Sequence, residues 1–426
     1  MKLIRSMQAY FPAEVLELLH HVGESAAALD LRVFLIGGSI RDLLLPHREF
    51  DWDIDLVVEH RGAEALGQEM QRRCGGQLQI FEQYGTAKLK FDQRLHLDIA
   101  TARTETYAHP GANPKVSFSD LHADLIRRDF TINAMAIALL PGEFGELIDY
   151  FNGYQDLEHR LLRTLHENKF REDPVRCWRA CRLQHALSFQ IESQTAQLIS
   201  ETMQTGIFDR FFSPRIRTEL RKVLSFADPL PSLLALEALN VLRCLDPELR
   251  LNENLLGALN RLEQWEPWFA EAHDQWAAPL CLLLEALSVP RRAELIPHLE
   301  LNQHQVRSWE AIVVQTEKML ALNWKTLKPH QVYQTLKPIP DLTLWFWLAR
   351  FPESELAQAA EYFWGELRLS KPEISGHDLK TILKPGPQMR EILEKLHHFR
   401  LDGLVHSKEE EFALAQKWAQ ELKEVL

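Results

Sequence analysis

The stretch Leu35–Glu59, LIGGSIRDLLLPHREFDWDIDLVVE, decides the reading of this chain. It parses as a strand, a tight glycine turn, a short helix over Ile40 to Leu45, a loop, and a second strand with carboxylates at alternate positions. Residues i and i+2 of a strand project from one face, so Asp53 and Asp55 point the same way a few ångströms apart. Two like charges so placed repel unless they share something strongly positive, and their hard oxygen atoms suit Mg²⁺ beside a phosphate substrate. The Gly37-Gly38-Ser39 turn offers unobstructed backbone N–H groups and the positive end of a helix, which suits a phosphate. A double glycine alone is usually only a turn, and a lone DxD is usually solvated surface. Their combination in one short stretch, with Arg41 and Asp42 in the first helical turn, points to metal-assisted chemistry on a nucleoside triphosphate. No GKS or GKT follows the glycines, so the turn is not a Walker loop.

Outward from this stretch, Pro12 to Leu29 carries Val15, Leu18, Leu19 and Val22 at helical spacing, and Val33 to Ile36 reads as the first strand. An Ala- and Gln-rich helix runs to about Cys74, where Gly75-Gly76 ends it. Short strands follow over Gln77 to Phe81, Thr86 to Phe91 and His96 to Ala100, too closely spaced for a doubly wound fold. From about Asp156 the strand signal disappears, and periodic apolar positions predict helices to the C-terminus. Proline and glycine clusters at Pro229 to Pro231, Pro329 to Pro340 and Ser370 to Gly376 mark loops or boundaries. The expected class is α+β: a mixed-sheet head over residues 1–150, then an all-helical neck (151–226), body (227–355) and tail (356–426).

Composition sets the outer bounds. A chain of 426 residues exceeds a single core, and 46% hydrophobic with 25% charged residues is ordinary for a globular protein. Five cysteines without a CxxC pair read as free thiols in a reducing compartment, and no apolar run reaches membrane-spanning length, so a cytoplasmic location is expected. The net charge of −12 argues by itself against a nucleic-acid partner. Binding is local, however, and from Glu158 to Lys222 twelve Lys or Arg face eight Asp or Glu. That segment is a candidate footprint for RNA, or else a helix face laced with salt bridges. The helical part also holds most of the eleven tryptophans, which core packing explains better than base stacking.

Three further constellations carry chemistry. Asp98, in LHLDIATAR, sits on a strand-like run and could orient or deprotonate an attacking hydroxyl, or simply pair with Arg103. In RRDFTINAMA, Asp129 and Asn133 form an i, i+4 pair expected on one helix face, able to hold ribose hydroxyls or merely to cap the helix. In EDPVRCWRACR, Pro174 suits a first helical turn and makes Asp173 a natural N-cap, while Arg176 and Arg179 share a face. A capped helix with a Glu172 to Arg176 pair, worth about 0.3–0.5 kcal/mol, is a complete structural account of that segment.

Taken in order, GGSIRDLLL with DWDIDLVV, then RRDFTINA, then EDPVR resemble the motifs of the class II tRNA nucleotidyltransferase and bacterial poly(A) polymerase family, within the DNA polymerase beta superfamily. The resemblance covers nearly the whole chain. It implies a nucleotidyltransferase head in which Asp53 and Asp55 bind Mg²⁺ and serve as catalytic residues, with Asp98 as a weaker third carboxylate. Gly38, Ser39 and Arg41 would hold the triphosphate, and Arg128, Asp129 and Asn133 the ribose. Asp173 and Arg176, with Arg179 beside them, would hydrogen-bond the Watson–Crick edge of incoming CTP or ATP. The attacking group would be the 3′-hydroxyl of a tRNA, with no nucleic-acid template.

Other segments extend the likeness. DYFNGYQDL (149–157) resembles the family's linking motif with Asn152 in place of its first glycine, SPRIRTELRKVL resembles the neck motif, and Ile374 to Glu411 resembles the tail. The His377-Asp378 pair fits the tail's ISGxDL pattern better than a metal phosphohydrolase. Between the first two motifs the sequence departs from the PTGxxHGT pattern of many full CCA-adding enzymes, so CC-only, A-only and poly(A) activities stay open beside full CCA addition. A nucleotide- or RNA-binding regulator on a decayed scaffold is the remaining alternative, and the intact carboxylates argue against it.

Overall fold

A computed structural model describes residues 1–269 and 274–424. The head is built on nine strands: β1 (Val33–Ile36), β2 (Asp53–Val58), β3 (Gln77–Phe81), β4 (Thr86–Lys90), β5 (His96–Thr101), β6 (Arg103–Thr106), β7 (Lys115–Phe118), β8 (Ala136–Ala138) and β9 (Leu147–Ile148). Seven of them form one sheet in the order β3-β4-β5-β2-β1-β8-β9. Only β2 and β5 run parallel, and the other neighbours are antiparallel, so the expected mixed sheet is present. Strands β6 and β7 form a separate hairpin.

Alternation along the strands gives the sheet two different faces. Val33 and Leu35 of β1, Ile54, Leu56 and Val58 of β2, and Leu97 and Ile99 of β5 pack into one core with helices α1 (Ile4–Tyr10), α2 (Ala13–Ala28), α3 (Gly38–Leu44) and α4 (Ala63–Cys74). Phe34, Ile36 and Val57 point the other way, into a smaller core with Leu121 and Leu125 of α5 (Leu121–Ile126) and Ala136 and Ala138 of β8. Asp53 and Asp55 share the parity of Val57 and so lie on this second face. Helix α1 has no counterpart in the sequence reading, because Met7 is its one buried residue and a single apolar anchor makes no periodic pattern.

Past the sheet, the linking segment enters α6 (Gly153–Glu158), followed by α7 (Lys169–Glu172), α8 (Val175–Leu187), α9 (Ser193–Gln204) and α10 (Pro214–Leu224). Asn152 adopts the left-handed conformation (φ 60°, ψ 33°) that asparagine tolerates better than most residues. Its neighbour must be glycine, since a Cβ on Gly153 would stand 2.3 Å from the carbonyl oxygen of Thr131. Asp149 ties this turn by accepting from the N–H groups of Gly153 and Tyr154, each at 2.9 Å.

The chain divides into two compact units, residues 1–219 with 231–247 and residues 220–230 with 248–426. Head and most of the neck therefore share the first unit. The second is helical, and its core is the run Leu342–Ala349 of the helix Asp341–Arg350, buried at every position. Trp345 donates to the carbonyl of Leu262 at 3.2 Å and Trp347 to the hydroxyl of Thr316 at 2.8 Å, so these indoles pack and bond inward. A separate small core joins Pro387–Leu401 to Lys408–Glu424 through Ile392, Leu396, Ala415 and Ala419. No helix among the described residues is long and apolar enough to cross a membrane.

Candidate active site

The parallel register sets the carboxylates side by side. Asp53 pairs with His96 and Asp55 with Asp98, on strands about 4.8 Å apart, so all four side chains emerge from one face. On the next strand Lys88 stands opposite Asp98 and Lys90 opposite His96. Contacts follow this lattice: Lys88 Nζ lies 3.0 Å from Asp98 Oδ2, and His96 Nδ1 lies 2.9 Å from Asp53 Oδ1. The alternative Asp98 to Arg103 pair does not form, and Arg103 Nη2 bonds Glu105 at 3.1 Å. Asp98 Oδ1 is buried with no partner, an acceptor left waiting. Burial pushes the Asp55 carboxyl up to about 6; Arg128 opposes this, while Asp98 and Asp53 add to it.

Gly37 closes over this face. Its φ of +85° favours glycine, and a Cβ there would meet Asp55 Oδ2 at 3.1 Å, so the turn lies directly against the carboxylate. Helix α3 begins at Gly38, two residues earlier than expected, and Ser39 is buried within the same turn. Arg41 forks onto Asp42 at 2.9 and 2.7 Å and reaches Asn133 Oδ1 at 3.0 Å. Asn133 in turn donates to Asp129 Oδ1 at 3.0 Å.

The Asp129 and Asn133 pair therefore exists, but not on an α-helix. Thr131–Asn133 forms a single 3₁₀ turn between Phe130 in extended conformation and β8. A fixed aspartate–amide bond stands where the i, i+4 spacing suggested regular helix. Asp129 Oδ2 and Arg179 Nε make an ion pair at 3.0 Å whose N–H direction misses the oxygen, so both retain hydrogen-bonding capacity. Burial alone would raise the Asp129 carboxyl; Arg179, Asn133 and the Phe130 N–H outweigh it and hold the group below the usual carboxylate range.

The segment around α8 is bonded far more completely. Pro174 takes the N-cap position, and Asp173 accepts from the Val175 N–H at 3.1 Å through Oδ1 and from Arg215 Nη2 at 2.6 Å through Oδ2. Arg176 is buried, and its Nη1 donates to the Lys169 carbonyl and to Glu172, each at 3.0 Å. Its Nη2 donates to the Arg127 carbonyl at 3.1 Å and to the Tyr107 hydroxyl at 3.4 Å. Four of the five guanidinium N–H groups are thus engaged. Burial, with Arg176 beside it, pulls the Lys169 ammonium down to about 8.

A cleft of 560 Å³ gathers these groups, with Gly37, Gly38, Arg41 and Asp55 at one side and Asp129, Asn133, Asp173, Arg176 and Arg179 at the other. The sequence reading missed several of its walls. Tyr107 donates to Glu105 at 2.9 Å, Glu105 takes Arg127 at 3.0 Å, and Arg127 and Arg128 both bind the wholly buried Asp124. Burial alone would raise Asp124, but Arg128 and Arg127 prevail and lower it. Arg128 was read from the RRDFTINA motif, but Glu105 and Tyr107 come from the β6–β7 hairpin, Asp124 from α5 and Arg215 from α10, with no local spacing to announce them. A neighbouring cavity of 340 Å³ shares Asp55, Arg127 and Arg128 and extends to Lys88, Asp98 and Phe81.

Two carboxylates aimed from one strand, with the orphaned Asp98 oxygen alongside, fit a hard divalent cation that completes its shell with water and substrate phosphate. Among the described residues no three His, Cys, Asp or Glu side chains close a metal cage by themselves. His377-Asp378 is not such a site either. Asp378 receives the N–H and hydroxyl of Ser375 at 2.8 and 2.7 Å and pairs with Lys408 at 2.9 Å, a helix cap.

The Poly A polymerase head domain family matches residues 33–163, which span β1 through the linking turn. Over 98% of its length the chain is 31% identical to an A-adding tRNA nucleotidyltransferase of Geobacter sulfurreducens, and over 95% it is 31% identical to one of Halalkalibacterium halodurans. It covers 48% of the first relative and 92% of the second, so it spans about half the length of some curated relatives and nearly all of others. Among solved structures, a Thermotoga maritima CCA-adding enzyme complexed with tRNA CCA shares 28% identity at a TM-score of 0.80, covering 97% of this chain and 98% of that one. Motif order, the carboxylate-bearing strand pair and near full-length likeness agree, and the chain belongs to the class II tRNA nucleotidyltransferase family.

Proposed function

We propose that this chain is a template-independent tRNA 3′-end nucleotidyltransferase that adds AMP, CMP or both from ATP and CTP to build the CCA terminus. The observation that carries this is the 560 Å³ cleft, in which the strand carboxylate Asp55 and the helix α8 motif face one space, with Asp53 beside Asp55 on the same strand face. A nucleoside triphosphate laid there would have its phosphates at Gly37, Gly38 and Arg41. Its ribose would lie at Asp129 and Asn133, where Asp129 Oδ2, which lacks a hydrogen bond, suits a hydroxyl group, and its base at Asp173 and Arg176. The cavity beyond Asp55 would take the RNA end.

Asp53 and Asp55 would hold Mg²⁺, which when bound activates the attacking hydroxyl and neutralises the pyrophosphate leaving group. The 3′-oxygen would form a bond to the α-phosphorus as the bond from that phosphorus to the pyrophosphate oxygen breaks, and the hydroxyl proton would pass to the Asp98 carboxylate and on to water. Asp98 Oδ1, buried and unpartnered, would accept that hydroxyl's hydrogen bond. Arg41 and Arg128 supply positive charge beside the phosphates.

Within the family, addition of A alone is the favoured partial reading, because the relatives in Geobacter, Aquifex, Halalkalibacterium and Deinococcus all carry the name A-adding. Transcripts of tRNA ending before CCA, after C and after CC, each supplied with labelled ATP or CTP, test the reading. AMP joined to the CC end without CMP joined to shorter ends supports A-addition; ordered CMP and AMP incorporation supports the full activity. No incorporation on any end in Mg²⁺ overturns the proposal.

A further inference from the structure

Asp53 and Asp55 are neighbours on one strand, yet they are held by different means. Asp55 is packed beneath Gly37 and sits in the field of Arg128. Asp53 begins β2, and its side chain is 58% exposed. A carboxylate on an open strand end turns freely about χ1 and χ2, and a metal site requires its oxygen atoms to stay on target. The one side chain bonded to it among the described residues is His96, at 2.9 Å through Nδ1.

His96 is well placed for this and is itself fixed. It is the register partner of Asp53, so the two side chains leave adjacent strands on the same face. Its backbone N–H donates to the Trp52 carbonyl at 3.0 Å, and its side chain is 24% exposed. With the proton on Nδ1, the imidazole donates to Oδ1 and leaves Oδ2 of Asp53 free. Lys90, its register partner on the far side, carries no carboxylate to compete for the ring.

Resting on the nucleotidyltransferase reading, we infer that His96 is a positioning residue for the metal carboxylate: it pins Asp53 Oδ1 so that Oδ2 faces the cation shared with Asp55. Outer-shell partners of this kind set metal affinity through ligand orientation. Their removal typically weakens binding 10- to 100-fold.

The test measures Mn²⁺ binding to the full chain, by electron paramagnetic resonance of the free ion, in the presence of α,β-methylene-ATP. His96→Ala weakens Mn²⁺ binding about 10-fold. His96→Asn, whose amide nitrogen can stand near the place of Nδ1, restores most of the affinity, while the melting temperature of both variants stays near that of the parent. A His96→Ala protein that binds Mn²⁺ as the parent does, or an Asn variant as weak as Ala, overturns the inference. So does a nitrogen coupling in the electron spin echo of bound Mn²⁺ that vanishes in His96→Ala, because the ring would then be a direct ligand. A parent protein that binds no Mn²⁺ with the analogue, and incorporates no nucleotide, defeats the functional reading itself, whereas normal parental binding isolates the role of His96.

Discussion

The carboxylate face of the sheet and the start of helix α8 line one cleft, but they are finished to different degrees. On the sheet face, Asp53 has one side-chain partner, Asp98 has a buried oxygen with none, and Asp55 carries an unfavourable charge raised by burial. At α8, both oxygens of Asp173 are occupied and four of the five Arg176 donors are taken. Groups that await a ligand are left under-bonded, because a cation or phosphate completes them. A rigid reading surface is instead bonded into the protein, so that its geometry is set before a base arrives. The contrast also implies that a base reaching Asp173 must share or displace Arg215, whose own side chain is 58% exposed.

Substitutions on the two sides should therefore fail differently. Asp53→Ala or Asp55→Ala should lower nucleotide incorporation by about 10³-fold or more, roughly 4 kcal/mol of barrier, with the melting temperature unchanged or higher. Primer extension together with calorimetry checks both halves of that statement, and a large drop in melting temperature would erase the contrast. Arg176→Ala should do the reverse in kind. It removes the donors to two backbone carbonyls and leaves Glu172 with Lys169 as its cation and the Tyr107 hydroxyl with Glu105, and losing a buried guanidinium so bonded should cost about 3 kcal/mol of stability. Denaturant unfolding reads this directly, and a loss below about 1 kcal/mol would mean that α8 is not held by these bonds.

The linking turn between the two sides should respond at an intermediate level. Gly153→Ala drives a methyl group into the Thr131 carbonyl and should cost about 2 kcal/mol, read as a lower urea midpoint. The smallest effect is in acid. Asp124 is lowered by its arginines, so its contribution is present above the ordinary carboxylate range and is lost as pH falls through its folded value. The parent should lose stability across that acid window, and Asp124→Asn, already weaker at neutral pH, should lose less of it. Parallel pH-stability curves for the two proteins would remove Asp124 as the cause.

Much of this was legible in the sequence, for identifiable reasons. The period-2 pattern of DWDIDLVV fixes which residues leave which face, so the alignment of Asp53 with Asp55 needed no structure. Gly75 ends α4 where Gly75-Gly76 was expected to, with a φ of +77° that L side chains rarely adopt. Register across strands was not legible, and it is register that sets His96 beside Asp53 and Lys88 beside Asp98. Arg215 and Tyr107 stand 42 and 69 residues from their partners Asp173 and Arg176, a separation over which no periodicity acts. In RRDFTINA the spacing suggested a helix, but the β-branched Thr131 and Ile132, buried in a turn that packs against α6 and α3, settle into one 3₁₀ turn.

The central claim is that joining a nucleotide and choosing it belong to different sides of the cleft. The most direct measurement is single-turnover incorporation of ATP and of CTP onto tRNA ending in CC, compared for the parent, Asp53→Asn and Asp173→Asn. The account predicts that Asp53→Asn lowers both rates by a similar factor and leaves their ratio intact. Asp173→Asn, which can still accept from the Val175 N–H but turns the other acceptor into a donor, should keep the protein folded and shift the ratio by about 10-fold. An Asp173→Asn protein with an unchanged ATP to CTP ratio, or an Asp53→Asn protein with an altered one, would contradict it.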